Sequence, residues 1–178
     1  MSERTFSGLI DVRDAGPTGM VTLRANLTDA AISQAMVNVG VDTPEPRQKL
    51  GPTLWMSPDE VMILSAYESA DAQVSLLQTA LAGHHSFAVN VSDARTVFRL
   101  SGKEHMVREV LAKLTPADMR AKSLPVGEVR RTRLAQVPAA FWFEVDGTAQ
   151  LICFRSVSDY VFGLLSNAAA EDSAVGFF

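Results

Sequence analysis

The chain has 178 residues, enough for one ordinary domain or two small fused subdomains, and its 47% hydrophobic and 20% charged residues suit a packed core. A net charge of −4, with no basic run interleaved with aromatics, argues against a general nucleic-acid surface. The single cysteine, Cys153, excludes an internal disulfide and a thiolate pair for zinc, and its place in Leu151-Ile152-Cys153-Phe154 marks it as a buried, inert thiol.

Met1 to Pro17 carries weak periodicity and is expected to form an arm, with no secretory signal in it and no bilayer-spanning stretch after it. The expectation is a cytoplasmic protein. Val21 to Leu27 alternates apolar and polar like a half-buried strand. Thr28 offers a cap to a helix with Asp29 in its first turn and Ile32, Ala35 and Met36 on one face, ending near Gly40. Leu54 to Met56 and Val61 to Leu64, joined by Ser57-Pro58-Asp59-Glu60, predict a hairpin. A helix follows from Ser69 to Ala82, closed by Gly83, and then a strand from Phe87 to Val91. Strand, helix, strand, strand, helix, strand is the split βαβ order of a ferredoxin-like unit.

The second half starts in the same way. Thr96 to Leu100 predicts a strand. Ser101 with Glu104 predicts a capping box, and Val107, Val110, Leu111 and Leu114 form the helix stripe that Pro116 ends. Thr115 to Glu128 is rich in loop residues. Strand-like runs follow at Val129 to Val137, Ala140 to Val145 and Gln150 to Arg155, with Asp146-Gly147 as a hairpin signal. Ser156 and Asp159 open a last helix striped by Val157, Tyr160, Val161, Leu164, Leu165 and Ala168, and the sequence closes on Val175-Gly176-Phe177-Phe178. The expected fold is α+β with two ferredoxin-like, split βαβ halves: an arm over 1–17, a first subdomain over 18–92 and a second over 93–178.

The chemistry in these segments is sparse. Ser101-Gly102-Lys103, between a strand and a helix, suggests a phosphate cradle. A P-loop, however, needs G-x-x-x-x-G-K-[ST], because several backbone N–H groups must wrap the phosphates, and Glu104 would repel an anion. His84, His85 and His105 lack carboxylates at metal-ligand spacing. There is no G-x-S-x-G elbow and no G-x-G-x-x-G fingerprint. Asp59 and Glu60 are adjacent carboxylates at a turn, expected to point apart. Trp55 and Trp142 are stacking candidates whose commoner role is core or interface filling.

Four ordered segments carry a resemblance. Leu54-Trp55-Met56-Ser57-Pro58-Asp59-Glu60-Val61-Met62-Ile63 is similar to a hairpin L-W-L-G-P-D-E-W-L-L, with Ser57 for the glycine and Val61 for the second tryptophan. Val91 to Arg95, Leu100 to Gly102 and Val110 to Lys113 follow D-x-S-x-x-R…L-x-G…V-L-x-K. Asp118, Leu124 to Gly127 and Thr132 to Ala135 follow D-L…F-x-x-G…T-x-L-A, and Phe154 to Tyr160 follows x-R-S-F-x-x-Y/W. Together, from Val21 to Leu165, they resemble the gamma-subunit family of bacterial heterotetrameric sarcosine oxidase.

The resemblance implies a fold like the folate-binding domain of the glycine-cleavage aminomethyltransferases. It also implies a complex that oxidatively demethylates sarcosine to glycine, yields hydrogen peroxide and passes the methyl carbon to tetrahydrofolate as 5,10-methylenetetrahydrofolate. FAD, FMN, NAD, zinc and tetrahydrofolate are then expected on the alpha, beta and delta partner subunits. This chain is expected to be a non-catalytic structural subunit that binds no cofactor, metal, nucleic acid or membrane. The aminomethyltransferase segment T-G-E-x-G-x-E is absent at Gly127-Glu128-Val129-Arg130-Arg131-Thr132. Asp93 and Arg95 are expected to hold local structure or meet a partner. Phe177 and Phe178, and the Met1 to Pro17 arm, are the candidate partner contacts. Three alternatives stay open: a related assembly acting on another N-methyl amino acid such as N-methylglutamate, a free-standing folate-binding protein, and a homo-oligomeric module.

Overall fold

Residues 4–178 are described by the structure, a computed structural model, and they divide into two units. Pro17–Asp93 forms a continuous unit, and the residues up to Gly16 join Ala94–Phe178 in a split unit. Met1, Ser2 and Glu3 of the expected arm lie outside the described residues. The rest of that segment is no arm. It supplies two strands, β1 (Thr5–Ser7) and β2 (Asp11–Asp14). Only Val12 of β2 is buried, so the segment is too short and too charged to show a period of two.

The continuous unit runs β3 (Gly19–Ala25), α1 (Ala30–Asn38), β4 (Lys49–Leu50), β5 (Thr53–Ser57), β6 (Glu60–Ser65), α2 (Ala70–Ala80) and β7 (Ser86–Asn90). Its sheet order is β4-β5-β6-β3-β7, with every pair antiparallel. Central β3 pairs Val21 with Ile63 on one side and Leu23 with Ala88 on the other. Val21, Leu23, Val61 and Ile63 from the sheet meet Ile32, Met36, Leu77 and Leu81 from the helical segments in one core. This is the predicted βαββαβ unit.

The split unit continues with β8 (Arg95–Ser101), α3 (Glu104–Ala112), β9 (Arg130–Leu134), β10 (Val137–Phe143), β11 (Ala149–Phe154) and α4 (Ser158–Ala168). Its antiparallel sheet is ordered β1-β2-β8-β11-β10-β9. The strand β8 stands where β3 stands in the continuous unit, and β2 takes the place of β7. Phe98, Leu100, Phe141, Phe143 and Leu151 pack against Val107, Val110, Leu111, Val161 and Leu165. Hence the chain has the α+β fold with two split βαβ halves, but the second half draws its fourth strand from the start of the sequence. Close packing secures that strand: the Leu9 N–H donates to Ala169 O at 2.7 Å, and a Cβ on Gly8 would lie 2.2 Å from the same oxygen.

Three local expectations are corrected. The α1 cap is Asp29, whose Oδ1 accepts from Ala31 N at 2.8 Å, and not Thr28. Ser101 ends β8, Lys103 precedes α3 without a side-chain cap, and Glu104 pairs with Arg108, so no capping box forms. The run Val129 to Val137 breaks at Ala135, whose φ of 50° turns the chain between β9 and β10 while its N–H donates to Leu114 O at 2.7 Å. The Asp146-Gly147 turn joins β10 to β11, with Gly147 at φ 78° and Asp146 Oδ1 accepting from Thr148 N at 3.0 Å. Among the described residues no helix is long and apolar enough to cross a membrane.

Candidate functional site: a clamped tail beside a groove

Helix α3 buries an apolar stripe, but it also buries Arg108 and Glu109. Arg108 is only 4% exposed. Its guanidinium stacks over Phe143 at 4.1 Å and pairs with Glu104 at 2.7 Å. Nη1 donates to Met119 O at 2.7 Å and Leu124 O at 3.1 Å. One side chain thus satisfies backbone carbonyls of the loop after α3 that have left regular structure, which is why a buried cation is tolerated here. The loop is tied further by Asp118, which accepts from Arg120 and from Ser123 Oγ. These bonds, Arg120's foremost, hold the Asp118 carboxyl well below the usual range.

Glu109 faces the last residues of the sequence. Its Oε1 accepts from Val175 N at 2.7 Å, and Oε2 accepts from Gly176 N at 2.8 Å and Phe177 N at 3.3 Å. The Val175 N–H leads the groups that hold this carboxyl below its ordinary value, against burial, which pushes it up. One turn on, Lys113 Nζ lies 3.6 Å from Glu109 and donates to Ala168 O at 3.0 Å and Ser173 O at 2.7 Å. An anion therefore meets backbone donors while a cation meets backbone acceptors, and α3 straps down the segment after α4.

The strap separates the two candidate contact residues. Phe178 packs against the core of the split unit, whereas Phe177 is 75% exposed, and their rings meet edge to face at 5.2 Å. Both line a groove of about 610 Å³ with Glu104, His105, Arg108, Arg120 and Ala121. Arg108 and Glu109 drew no expectation from the sequence, and Lys113 entered only as the end of the V-L-x-K segment. The signal these residues carry is the spacing of the Glu104–Arg108 and Glu109–Lys113 pairs, which on most helices marks a solvated face.

The remaining candidates are dispersed. His105 lies in this groove, while His84 and His85 are exposed in the continuous unit. Among the described residues no group of His, Cys, Asp and Glu could hold a metal ion. Asp59 and Glu60 do not point apart as expected: Arg24 bridges them, Nη1 to Asp59 at 3.1 Å and Nη2 to Glu60 at 2.7 Å. The Ser57 hydroxyl first, and the Arg24 guanidinium after it, hold the Asp59 carboxyl below its ordinary value, the opposite of what a general acid needs. Trp142 is buried, with Nε1 donating to Glu144 at 2.8 Å. Asp93 accepts from Tyr67 Oη at 3.0 Å, and Arg95 stacks on Phe154 at 3.9 Å. The Cys153 thiol is buried, and burial pushes its pKa up to about 11.

A folate site would need a free carboxylate for the pterin. In Gly127 to Thr132 the one carboxylate is Glu128, which is buried and paired with Arg130 at 2.5 Å. With that carboxylate buried and paired, the segment does not fit the pterin. What the split unit does present is an exposed Phe177 on a segment whose backbone N–H groups are bonded to Glu109.

A family model described as sarcosine oxidase, gamma subunit family, matches residues 28–171. Among solved structures, one similar chain belongs to the heterotetrameric sarcosine oxidase from Corynebacterium sp. U-96 in complex with pyrrole 2-carboxylate. The TM-score is 0.83 at 24% identity, covering 98% of this chain and 91% of that one. Another is the glycine cleavage system aminomethyltransferase T from Bartonella henselae, at TM-score 0.62 and 12% identity, covering 85% of this chain and 44% of that one. A search of the curated proteins found no significant match. At these identities the structural likenesses establish the fold, and the aminomethyltransferase likeness agrees with the two split βαβ halves.

Proposed function

The chain belongs to the sarcosine oxidase gamma subunit family, and on that premise we propose that it is a non-catalytic structural subunit of a flavin-dependent heterotetrameric sarcosine oxidase. In this reading the complex demethylates sarcosine oxidatively to glycine, with hydrogen peroxide and 5,10-methylenetetrahydrofolate as the other products. The alpha, beta and delta subunits carry FAD, FMN, NAD, zinc and the tetrahydrofolate site, and the assembly works in the cytoplasm. The observation that carries the reading is the family match, which reaches from before α1 to beyond α4 and so takes in both units.

The contact assigned to this chain is the tail. Phe177 is the exposed anchor offered to a partner, and Phe178 is its inward root. Purification of the tagged full chain from cells co-expressing the other subunits tests the proposal. The expected eluate is yellow, contains two larger flavoproteins and one small chain, and oxidises sarcosine. A colourless chain eluting alone, with the partners expressed, overturns the proposal. Phe177→Ser should lower partner recovery more than Phe178→Ser does at equal folded fraction, and the reverse order would remove Phe177 from the interface.

A further inference from the structure

We propose that Glu109 is a positioning residue for subunit assembly: its carboxylate fills a backbone nest in residues 175–177 and holds Phe177 in its outward pose before any partner arrives. This rests on the reading that the tail meets a partner subunit.

The geometry is that of an anion site occupied from within. The N–H groups of Val175, Gly176 and Phe177 converge on the two Glu109 oxygens at 2.7, 2.8 and 3.3 Å. Gly176, at φ 72°, supplies the left-handed residue that lets successive N–H groups point to one side. The bonds are charge-assisted and made by a side chain that is 3% exposed, so water competes poorly for them. Lys113 fixes the upstream end of the same segment through Ala168 O and Ser173 O.

Packing alone does not explain this device. Phe177 is 75% exposed and Val175 71% exposed, so their own burial does little to offset the entropy of ordering them. Phe178 does pack on the core, yet one anchored ring leaves the pose of the residue before it undetermined. The clamp makes sense if an ordered Phe177 is useful to something else. A partner that binds a preformed projection avoids the ordering cost at the moment of association, and that saving appears as affinity.

The test uses the full chain with its co-expressed flavoprotein subunits. It reads amide hydrogen exchange of residues 175–177 in the free chain and affinity for the partners. Glu109→Gln keeps the shape but turns one acceptor into a donor facing N–H groups. The expected result is at least about tenfold faster exchange at Val175, Gly176 and Phe177, with the core strands unchanged, and about tenfold weaker assembly. Adding Phe177→Ser to Glu109→Gln should then cost less than it does in the wild-type background, because the two act through one pose.

Gly176→Ala serves if Glu109→Gln does not fold. A Cβ there meets no atom within 4 Å, so only the backbone conformation is penalised, and the same exchange and affinity changes are expected. Faster tail exchange with unchanged affinity overturns the proposal, as does tail exchange that neither variant alters. If the wild-type chain captures no flavoprotein subunit, the subunit reading itself fails and the assembly role of Glu109 falls with it, while the exchange data still report whether the clamp exists.

Discussion

The continuous and split units reach the same strand order by different routes. In the continuous unit the chain leaves α2 and returns at once as β7, which pairs with β3. In the split unit the chain leaves α4 for the clamped tail, and the place beside β8 is filled by β2 from the start of the sequence. The outer side of β2 is covered by β1, whereas β7 is the last strand of its sheet and carries Phe87 at 61% exposure. The comparison teaches that the sheet specifies which place must be filled, and not which part of the chain fills it. The segment after α4 supplies no strand to the sheet and is instead held by Glu109 and Lys113.

The sharpest way to break the comparison is to remove the borrowed strand. Val12 is fully buried in β2, and Val12→Asp places an unpaired carboxylate in the core of the split unit. The expected loss is at least about 3 kcal/mol. In hydrogen exchange, protection should fall first in β8 and β11, while β3, β6 and β7 keep theirs. Equal losses in both sheets would show that β2 is not a private part of the split unit.

The loops after the first helix of each unit differ next. In the split unit Arg108 ties the loop by its guanidinium, and Arg108→Ala leaves the Met119 and Leu124 carbonyls without that donor. The cost expected from chemical denaturation is about 2–3 kcal/mol, and Arg108→Lys should not restore it, lacking the planar fork and the stack on Phe143. In the continuous unit the equivalent turn is closed by Met36 itself, whose carbonyl accepts from Val41 N at 3.0 Å. Met36→Leu keeps that bond and most of the volume, so it should cost less than about 1.5 kcal/mol.

The helix starts give a smaller contrast. Asp29→Ala removes the side-chain cap of α1 and should cost about 1 kcal/mol. Ser101→Ala, at the end of β8 and ahead of the Lys103 that precedes α3, removes no cap and should change stability by less than about 0.5 kcal/mol. Thermal melts of the two variants compare them directly, and an equal loss for Ser101→Ala would restore the capping box.

Acid should separate the units most gently. In the split unit Glu109, Asp118 and Asp146 are held below their ordinary values, by the Val175 N–H, by Arg120 and by Thr148 in turn, with Lys113, Arg120 and Arg99 as the facing charges. In the continuous unit the same holds for Asp59, through Ser57 first and with Arg24 facing it. A carboxyl with a depressed folded pKa supplies stability that is present above its unfolded pKa, near about 4, and is lost as pH falls through the folded value. Exchange protection measured below pH ~4 should therefore weaken in the split unit before the continuous one. The opposite order would mean that these bonds matter less than the core.

Much of the fold was legible because its signals are local. Val21 to Leu27, Leu54 to Leu64 and Phe87 to Val91 alternate or run apolar within a few residues of a turn, and they fold as β3, β5, β6 and β7. The family pattern was legible for the same reason, being four short ordered segments. The segment Asp11–Asp14 was not, since a strand with one buried residue has no period to read. The cap of α1 was misplaced by one residue at Thr28, and the box expected from Ser101 and Glu104 does not form, because a hydroxyl can cap only if the backbone brings an N–H to it. The candidate site was half legible. Phe177 and Phe178 could be named as an apolar tail, but the sequence offers no sign that one ring turns inward and the other out.

The sequence by itself pointed to the α+β class and to the βαββαβ order of the continuous unit, since hydrophobic periodicity and turn chemistry act over a handful of neighbours, and its four ordered motifs carried the resemblance to the family. Only the tertiary structure decided that β2 completes the split sheet, that Arg108 and Glu109 are buried on α3, and that Glu109 and Lys113 hold the segment after α4. Those outcomes depend on partners far away along the chain, such as Glu109 with Val175 at a separation of 66 residues. A charge becomes worth burying only when folding has brought its full set of partners within hydrogen-bond reach.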